Sequence, residues 1–536
     1  MSGTDNPGTA AARYNALVSG REPFLIRGRD AAQLTMPYLI PPLGFNASMR
    51  LPTPYQSLGS RGVRNLASKF LLALFPSNTP FFKYEIDDFL LEKLAKTDGA
   101  RGAFETAMSR RERAIMTELD KSLFRTEAFA AFLHMVVGGN ALIYVPPKGR
   151  CRHFRLDQYV VRRDPSGNIL EIVVEEAVSL KTLPTAARAA IEAREHTPEA
   201  TGTPHSGTAD KGHKLYTYIW RTEDDSWKVY QECCGVILPG SDGSYPADDC
   251  PWIPLRMSSQ PNEDYGRGYV EEMLGDLDSL ESLSQTLVEG TAAVARVLFL
   301  VKPNGVTRVK VVAQARNGSV QVGNAEDVTV AQAQAKSADF QTAQKQAETI
   351  AGRISYAFLL NSSVQRNGDR VTAEEIRYMA GELDDALGGI YTLLAAEFQL
   401  PVVQAFERRM QKSRNVPALP SGVVNPTITT GMSALGRGND LQNLKAFVAD
   451  VIQIVGPQEA FTYLNPGEFL KRAVAAYGID PGGLLNSDDQ VQAMKRMAAQ
   501  NAAVQHLGPH AINGMAGLAK QAMANQAQQQ ETSASS

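Results

Sequence analysis

Apolar residues recur every three or four positions over much of this chain, a spacing typical of helices that bury one face. The spacing predicts a first helix over residues 9–35 and a second over 57–75. In the second helix, Leu66, Phe70 and Leu74 follow one another at four-residue intervals and form a single apolar stripe. Such a stripe predicts that the helix packs against a hydrophobic core.

A mixed helix and sheet unit is predicted between residues 86 and 256. Two helices are expected within 86–138, and the charged run RRER at 110–113 is interpreted as a solvated helix face. Beyond residue 140 the period changes to two, which indicates strands. Residues 159–178 and 215–238 then predict two hairpins, because turn residues lie between β-rich runs in each.

The second half of the chain predicts two long helices with a β-leaning segment between them. The proline-free segment 269–300 carries a stripe of leucines. A helix of that length spans roughly 45 Å and needs a partner face. The β-leaning segment covers 301–336, and helix resumes over 337–360. This order predicts a hairpin of helices that leads out from the main body and back.

A polar loop, 361–371, follows the hairpin. Thr372 and Glu375 then form a capping box that begins another helix. Residues 433–500 are predicted to be helical again. The remaining tail is rich in Ala, Gln, Met and Ser, and its end is interpreted as a disordered, low-complexity segment.

Composition and charge place the chain among ordinary globular proteins. Its 536 residues include 54 Lys and Arg and 57 Asp and Glu, for a formal net charge of -3. This balance argues against a histone-like DNA binder, which needs a large cationic excess, but permits a locally basic site. Apolar runs fall short of the roughly 18 residues that span a bilayer, and the N-terminus lacks the pattern of a signal peptide.

Motifs for enzymatic chemistry are missing from the sequence. It contains no GxxxxGKS/T, HExxH or GxSxG pattern. The GRG runs at 266–268 and 436–438 are too short to bind a dinucleotide. Acidic pairs such as Asp248 with Asp249 are interpreted as caps, turns and solvated faces. We therefore expect no catalytic residues, no cofactor and no metal.

The cysteines and histidines are interpreted as core or surface residues. The four cysteines include an adjacent pair, Cys233 and Cys234, and no CxxC motif. This usage fits a reducing compartment rather than a disulfide framework or a zinc site. His134 lies among apolar residues, which favours a core position over a ligand role.

Two arginines of the polar loop, Arg366 and Arg370, indicate a possible contact with nucleic acid. At a turning point of the chain they can contact phosphate without reading bases. The alternative is an exposed connector whose arginines are only solvated, and the pattern alone leaves both interpretations open.

Four long blocks, in a fixed order, carry a resemblance to a known family. The blocks are LASKFLLALFP (66–76), GSDGSYPADDCPWIPLRM (240–257) with YGRGYVEEMLGDLDSLE (265–281), NSSVQRNGDRVTAEEIRYMAGELDDALGGIY (361–391) and PTITTGMSALGRGNDL (426–441). Through them the chain resembles the portal (head-to-tail connector) proteins of short-tailed, T7-like bacteriophages. Blocks of this length are far more specific than a short motif.

The resemblance implies an α+β, mostly helical portal fold that assembles as a dodecameric ring around a central channel. The family's parts follow by position along the chain. They are a wing (1–265, completed by the helix of 372–425), a stem (266–300 and 337–360), a clip (301–336), a tunnel or valve loop (361–371), a crown (426–500), and a crown end with a low-complexity tail (501–536).

The resemblance also implies function. The ring would occupy one capsid vertex, dock the large terminase subunit during packaging, nucleate procapsid assembly with scaffolding protein, retain DNA, join head to tail and conduct DNA during ejection. Further implied partners are double-stranded DNA held transiently without sequence preference, tail adaptor and tube proteins, the major capsid protein and internal core proteins, with no membrane. The implied location is the virion, and the host cytoplasm during assembly.

Site residues follow from position within the matched blocks. Three tunnel-loop residues would face DNA, and three clip residues would contact DNA, terminase or tail. These residues are Arg366, Asn367 and Arg370 in the loop, and Arg308, Lys310 and Arg316 in the clip.

Two alternatives remain beside the portal. One is another structural component of the virion, a tail adaptor or internal scaffold without a channel, which the length and the helix-insert-helix order disfavour. The other is an enzyme of unrecognised type, which needs titratable groups clustered in a pocket. Under the portal hypothesis, the near-neutral charge keeps DNA mobile while a few rings of arginine supply contact.

Overall fold

The computed structural model describes two compact units. The first comprises residues 1–91 and 111–436, and the second comprises 92–110 and 437–536. The described residues are 9–46, 48–77, 80–86, 100–195, 212–294, 298–316, 318–331, 337–360, 389–413, 424–428, 436–464 and 466–477, with a few more within 490–497 and 520–521.

The helices lie throughout the described chain, and the strands lie in the first unit. The helices are α1 (Ala10–Gln33), α2 (Leu58–Leu74), α3 (Ala100–Lys121), α4 (Phe124–Gly138), α5 (Thr185–Glu195), α6 (Leu274–Val294), α7 (Val309–Gln314), α8 (Ser337–Ala357), α9 (Leu400–Lys412), α10 (Gly436–Val455), α11 (Pro457–Tyr463) and α12 (Pro466–Tyr477). The strands are β1 (Phe82–Ile86), β2 (Asn140–Tyr144), β3 (Arg152–Phe154), β4 (Tyr159–Arg163), β5 (Ile169–Val178), β6 (His213–Arg221), β7 (Trp227–Cys233), β8 (Val236–Ile237), β9 (Gly243–Tyr245), β10 (Trp252–Arg256), β11 (Leu298–Val301), β12 (Val328–Ala331) and β13 (Val424–Ile428).

The first two helices confirm the prediction from periodicity. Helix α1 begins where the Thr9 hydroxyl accepts a hydrogen bond from the Ala12 amide at 3.2 Å, which satisfies one of the free amides of the first turn. In α2, Leu66, Phe70 and Leu74 are all fully buried. The predicted stripe is therefore the face that meets the core.

An antiparallel sheet joins the two predicted hairpins. Its strand order is β4-β5-β6-β7-β8, with β9 paired to β7. Strands β5 and β6 pair along eight positions, from Glu171 opposite Trp220 to Val178 opposite His213. Tyr14 of α1 packs into a buried cluster on this sheet. The mixed helix and sheet fold expected from the sequence is confirmed.

Aromatic side chains fill the core around the end of α2. The Phe75 ring lies 4.9 Å from Phe81, 5.0 Å from Phe124 and 4.8 Å from Phe398, measured between ring centroids. The three contacts are edge-on, the arrangement that aromatic pairs prefer. They bring the segment before β1, helix α4 and the segment before α9 to one point.

The interpretation of the charged run at 110–113 as a solvated face is wrong for its two central residues. Arg111 and Glu112 are buried. Arg111 forms an ion pair with Glu407 of α9, and Glu112 accepts a hydrogen bond from the Tyr84 amide at 3.2 Å. A buried charge needs such partners, and the partners come from distant parts of the chain that local charge patterning does not reveal.

The long helix predicted over 269–300 is shorter than expected. Residues Tyr269–Met273 form a 3-10 turn, α6 ends at Val294, and Leu298–Val301 is a strand. That strand pairs antiparallel with Val328–Ala331, and its pairing explains why the helix does not continue. The β-leaning prediction for 301–336 is correct only for this pairing, because Val309–Gln314 is a short helix.

The last described strand of the first unit is β13, and the predicted start of the crown at residue 426 stays a prediction. Strand β13 pairs antiparallel with β1, from Phe82 opposite Ile428 to Ile86 opposite Val424. The pairing ties β13 into the first unit, and the C-terminal part of the second unit begins at Arg437.

The prediction that His134 has a core position is confirmed. His134 is buried, and burial lowers its pKa to about 3, so the imidazole is neutral. The four cysteines form no disulfide. Among the described residues, no His, Cys, Asp or Glu side chains group to hold a metal ion, and no helix has the length and apolar character to cross a membrane.

The acidic pair at 248–249 is only partly a turn feature. Asp249 is buried, and its carboxylate lies 2.9 Å from Arg408 and 3.5 Å from Lys412. The solvated interpretation is wrong for this residue, because both cations come from α9.

Candidate nucleic-acid interface and its supports

Helices α6 and α8 form the predicted helical hairpin, and two contacts fix them as antiparallel. At the start of α6, Asp276 lies 2.7 Å from Arg353 near the end of α8. Towards the end of α6, Gly290 faces the ring of Phe340 near the start of α8. A Cβ atom at position 290 would lie 2.6 Å from that ring. The hairpin therefore depends on glycine at this crossing.

The base of the hairpin is closed by aromatic side chains. The Tyr269 hydroxyl donates to the Ala357 carbonyl at 2.9 Å, and burial raises the pKa of Tyr269, which keeps the donor protonated. The ring of Phe358 is fully buried, with its centroid 5.9 Å from that of Tyr269. It packs against Gly62 of α2. Both helices of the hairpin are thus joined to each other where they leave the main body.

The GRG run at 266–268 has a packing role in this structure. A Cβ atom added to Gly268 would lie 2.3 Å from the Val137 carbonyl oxygen, so the segment packs closely here. The Asn140 side chain accepts from the Gly266 amide at 2.8 Å and donates to its carbonyl at 2.7 Å. These contacts fix the segment that leads into α6 against the end of α4.

Helix α2 holds the residues just before the predicted tunnel loop. The Asn65 amide donates to the carbonyls of Phe358 and Leu359, each at 3.0 Å. Leu359 has a positive φ of 53°, a conformation in which a helix ends rather than continues. The chain therefore leaves α8 at a defined point on α2.

The same helix holds the residues that follow the loop. The Tyr391 hydroxyl donates to the Ala73 carbonyl at 3.2 Å, and the buried Gln399 amide donates to the Leu74 carbonyl at 2.5 Å. Both acceptors lie in the last turn of α2, where carbonyls have no partner within the helix. Residues Ala395–Gln399 form a π-helical turn that leads into α9.

An ion pair with strand β10 also holds the π-helical turn at residues 395–399. Arg256 of β10 donates to Glu397 through two nitrogens, with distances of 2.9 Å and 2.6 Å to Oε1. The Arg256 side chain is 6% exposed. A two-pronged contact of this kind fixes orientation as well as distance.

Helix α2 therefore anchors the residues that lie before and after the segment between residues 360 and 389. Its anchors, from Asn65 to Leu74, are nine residues apart, or roughly 13 Å along a helix. Arg366, Asn367 and Arg370 belong to that segment and lie outside the described residues. Their predicted contact with DNA stays a prediction.

The tip of the hairpin is held by one buried carboxylate. Asp327 accepts hydrogen bonds from the amides of Val306 at 2.8 Å and Thr307 at 3.2 Å. Its backbone carbonyl accepts from the Lys302 amide at 2.9 Å. The Thr307 hydroxyl accepts from the Asn324 amide at 2.8 Å. These bonds make residues 302–327 a closed loop beyond the β11–β12 pair.

The three predicted clip residues lie together on this tip. Arg308 precedes α7, Lys310 is in its first turn and Arg316 follows its end. All three side chains are exposed, and none has an ion-pair partner among the residues that the structure describes. Exposed, unpaired cations are suited to phosphate or to carboxylate groups of a partner.

Charge differs between the tip and the helix that supports it. Residues 269–294 contain six acidic residues and no Lys or Arg, whereas residues 298–331 contain four cations and two acids. One of those acids is the buried Asp327. The tip is therefore locally basic on an acidic support, although the whole chain is near neutral.

The sequence pattern of the family described as "Bacteriophage head to tail connecting protein" matches residues 8–485. This chain belongs to that family. The portal protein of Escherichia phage T7 is 38% identical over 524 residues, which are 97% of this chain and 94% of the relative. The portal protein of Enterobacteria phage T3 is 37% identical over 518 residues, with 95% and 94% coverage. This portal-family chain is a connector of head and tail at the capsid vertex.

A more distant relative and two solved structures extend these comparisons. The portal protein of Pseudomonas phage phiKMV is 28% identical over 89% of this chain and 92% of its own. The neck of an empty gene transfer agent particle, computed with C6 symmetry, is 12% identical with a TM-score of 0.36 and coverage of 77% and 91%. The native neck, computed with C12 symmetry, is also 12% identical, with a TM-score of 0.34 and coverage of 85% and 98%. At such TM-scores the likeness adds nothing to the family assignment.

Residues that support the site were missed by sequence reasoning. Asn65, Tyr391 and Gln399 carry no motif, and their partners are backbone carbonyls that lie more than 290 residues away in the chain. As a sequence motif, the GRG run at 266–268 suggests only dinucleotide binding, for which it is too short. The spacing of the two glycines indicates close packing, but it does not reveal which residues pack against them.

The crossing at Gly290 generates a testable prediction. Gly290→Val should destabilise the chain by about 1–3 kcal/mol, because the added methyl groups overlap the Phe340 ring. Gly275→Val is the matched control: it lies in the same helix and an added Cβ meets no atom within 4 Å. Denaturant unfolding of both variants measures the difference. Equal stability of the two would contradict the assigned crossing.

The upstream anchor generates a second prediction. Asn65→Leu should speed amide exchange at Leu359 and Leu360 by about five-fold, because roughly 1 kcal/mol of hydrogen bonding is lost. Arg64→Leu, an exposed neighbour on the same helix, should leave exchange there unchanged. Hydrogen exchange followed by mass spectrometry measures both. Unaltered exchange in Asn65→Leu would show that α2 does not anchor this end.

Proposed function

We propose that twelve copies of this chain form a closed ring whose central channel conducts double-stranded DNA at the capsid vertex. The family assignment carries this proposal. The hairpin supports it, since Val288 of α6 is 55% exposed and Tyr356 of α8 is 76% exposed. Apolar side chains left open on a projecting hairpin need a neighbour, and a ring of identical subunits supplies one to every copy.

In this proposal the parts keep the roles assigned by position. Residues 1–265 and 372–425 form the wing, 266–300 and 337–360 form the stem, 301–336 form the clip, 361–371 form the tunnel loop, 426–500 form the crown, and 501–536 form the crown end and tail. Arg366, Asn367 and Arg370 face DNA. Arg308, Lys310 and Arg316 at the hairpin tip contact DNA, the terminase or the tail.

The ring acts without chemistry of its own. It docks the large terminase subunit, which supplies the hydrolysis of ATP, and it nucleates the procapsid with scaffolding, major capsid and internal core proteins in the host cytoplasm. Later it binds tail adaptor and tube proteins, retains the genome and releases it. The exposed basic tip supports a docking role, because its cations have no ion-pair partner among the described residues.

The charge arrangement supports transient rather than tight contact with DNA. Each phosphate that a protein neutralises adds salt-sensitive affinity. An acidic stem repels the phosphate backbone, and contact is then limited to the basic loop and tip. DNA can therefore move along the channel.

The ring itself is the first prediction of this proposal. Purified protein imaged by negative-stain electron microscopy should show closed rings with twelve-fold symmetry and a central hole. Native mass spectrometry of the same sample should give a mass near twelve times the 58.2 kDa chain. Stable monomers at every salt concentration would contradict the ring.

The loop arginines supply a second prediction. Arg366→Ala with Arg370→Ala should leave ring assembly intact and impair DNA retention, because the proposed phosphate contacts are lost. A matched control is Lys148→Ala with Arg150→Ala, which removes two exposed cations from the β2–β3 loop. Packaged genome length and particle stability are the measurements. If both match the unaltered particle, the loop does not have this role.

A further inference from the structure

Helix α2 lies in a stretch of the chain that carries no acidic residue. Residues 31–84 contain five Lys and Arg and no Asp or Glu. Two of these cations, Arg61 and Arg64, lie on one face of α2, because side chains three positions apart are neighbours on a helix. Both side chains are exposed. The outer face of α2 is therefore positively charged, and no acid of its own segment neutralises it.

These two arginines have no ion-pair partner in the described part of the chain. The Nη2 atom of Arg64 lies 3.5 Å from the Tyr38 hydroxyl, which carries no charge. By contrast, Arg353 of α8 lies 2.7 Å from the Asp276 carboxylate of α6. The chain thus pairs a cation of the hairpin with an acid of the hairpin, whereas the charges of the two arginines on α2 are left open.

The stem has the opposite character, since residues 269–294 carry six acids and no Lys or Arg. Four of these acids are bonded within the chain, and they are Glu271, Asp276, Glu281 and Glu289. The other two, Glu272 and Asp278, are exposed. Their carboxylates have neither an ion pair nor a hydrogen bond among the described residues. The stem therefore presents negative charge that the same chain does not neutralise.

Both sets of charges lie at the base of the hairpin. The side chain of Asn65, in the same turn of α2 as the arginines, donates to the Phe358 carbonyl at 3.0 Å. The ring of Phe358 lies against that of Tyr269. Glu272 and Asp278 follow Tyr269 within nine residues, or roughly 14 Å along a helix. The two sets form no ion pair with each other in the described chain, which indicates that they face different sides of the base.

Rotational symmetry makes such a pair of surfaces complementary. In a closed ring each subunit presents one side to the next subunit and its opposite side to the previous one. Rotation about the ring axis leaves height along that axis unchanged, so two surfaces that meet lie at the same level of the subunit. The positive surface of α2 and the negative surface of the stem satisfy this condition. Tyr356 of α8, which is 76% exposed, lies near the same level and would be covered by the same neighbour.

We propose that Arg61 and Arg64 of one subunit bind Glu272 and Asp278 of the adjacent copy, and that this contact joins neighbouring hairpins at their base. The inference rests on the ring of the proposed function and assigns residues that close it. A single exposed ion pair contributes little stability. The contact is repeated at every interface of the ring, however, and it excludes wrong arrangements in which like charges face each other.

The test reverses each side of the contact separately. Arg61→Glu with Arg64→Glu places acids on both sides, and Glu272→Lys with Asp278→Lys places cations on both sides. Each variant should show at least about ten-fold fewer rings than the unaltered chain at low salt, because like charges at an interface are strongly unfavourable. Analytical ultracentrifugation measures the ring fraction. The loss should weaken in about 1 M salt, where the Debye length is about 3 Å.

An equal mixture of the two variants gives the sharpest result. In a ring in which the variants alternate, the introduced glutamates meet the introduced lysines at one interface, and the native arginines meet the native acids at the next. Rings should therefore form again on mixing. A chain that carries all four substitutions should form rings alone. A misfolded chain would not be rescued in either way, so the mixture separates a lost contact from a lost fold.

The matched control is Lys148→Glu with Arg150→Glu, which changes the net charge equally at two exposed cations of the β2–β3 loop and should leave the rings intact. Rings that persist in both reversal variants at low salt would overturn the inference and leave the ring itself in place. Impaired DNA packaging by such rings would assign the arginines to DNA instead. A loss that mixing does not restore would also overturn the contact. If the unaltered chain forms no ring, the proposed function fails, and this contact fails with it.

Discussion

The aromatic core at the end of α2 is the constraint on which the other parts depend. Phe75 is in edge-on contact with Phe81, Phe124 and Phe398, and these rings come from three separated segments. Burial of one such side chain contributes about 1.5–3 kcal/mol relative to exposure. The contacts thus fix where α2 ends, and the end of α2 fixes which of its carbonyls are available to other residues.

Those carbonyls connect the core to the candidate site. The last turn of any helix leaves carbonyls without partners inside the helix. Here the acceptors at Ala73 and Leu74 are used by Tyr391 and Gln399, while Asn65 in the same helix holds the end of α8. One helix therefore sets both ends of the segment predicted to contact DNA.

Sequence reasoning succeeded where the deciding interactions were local. The stripe of α2, the turn chemistry of both hairpins and the order of helix, insert and helix were all readable from period and turn residues. Sequence reasoning failed where a residue far away in the chain determines the local burial or secondary structure. Arg111 is buried because Glu407 lies against it, and Leu298 to Val301 is a strand because residues 328–331 pair with it. The packing role of the GRG run was not readable from the sequence, because it depends on the Val137 carbonyl that lies against Gly268. Family resemblance, rather than periodicity, supplied the function.

Net charge was the least informative property of the sequence, since it averages over parts with opposite character. A value of -3 hides a support helix without a single cation between residues 269 and 294 and a tip with four cations between 298 and 331. At a Debye length of about 8 Å in physiological salt, the two charges act separately on any partner. The negative charge of the stem helix therefore does not cancel the attraction of the basic tip for phosphate or carboxylate groups. A connector that must bind partners at its end and release its cargo along its length needs this separation, and a uniform charge of either sign would defeat one of the two tasks.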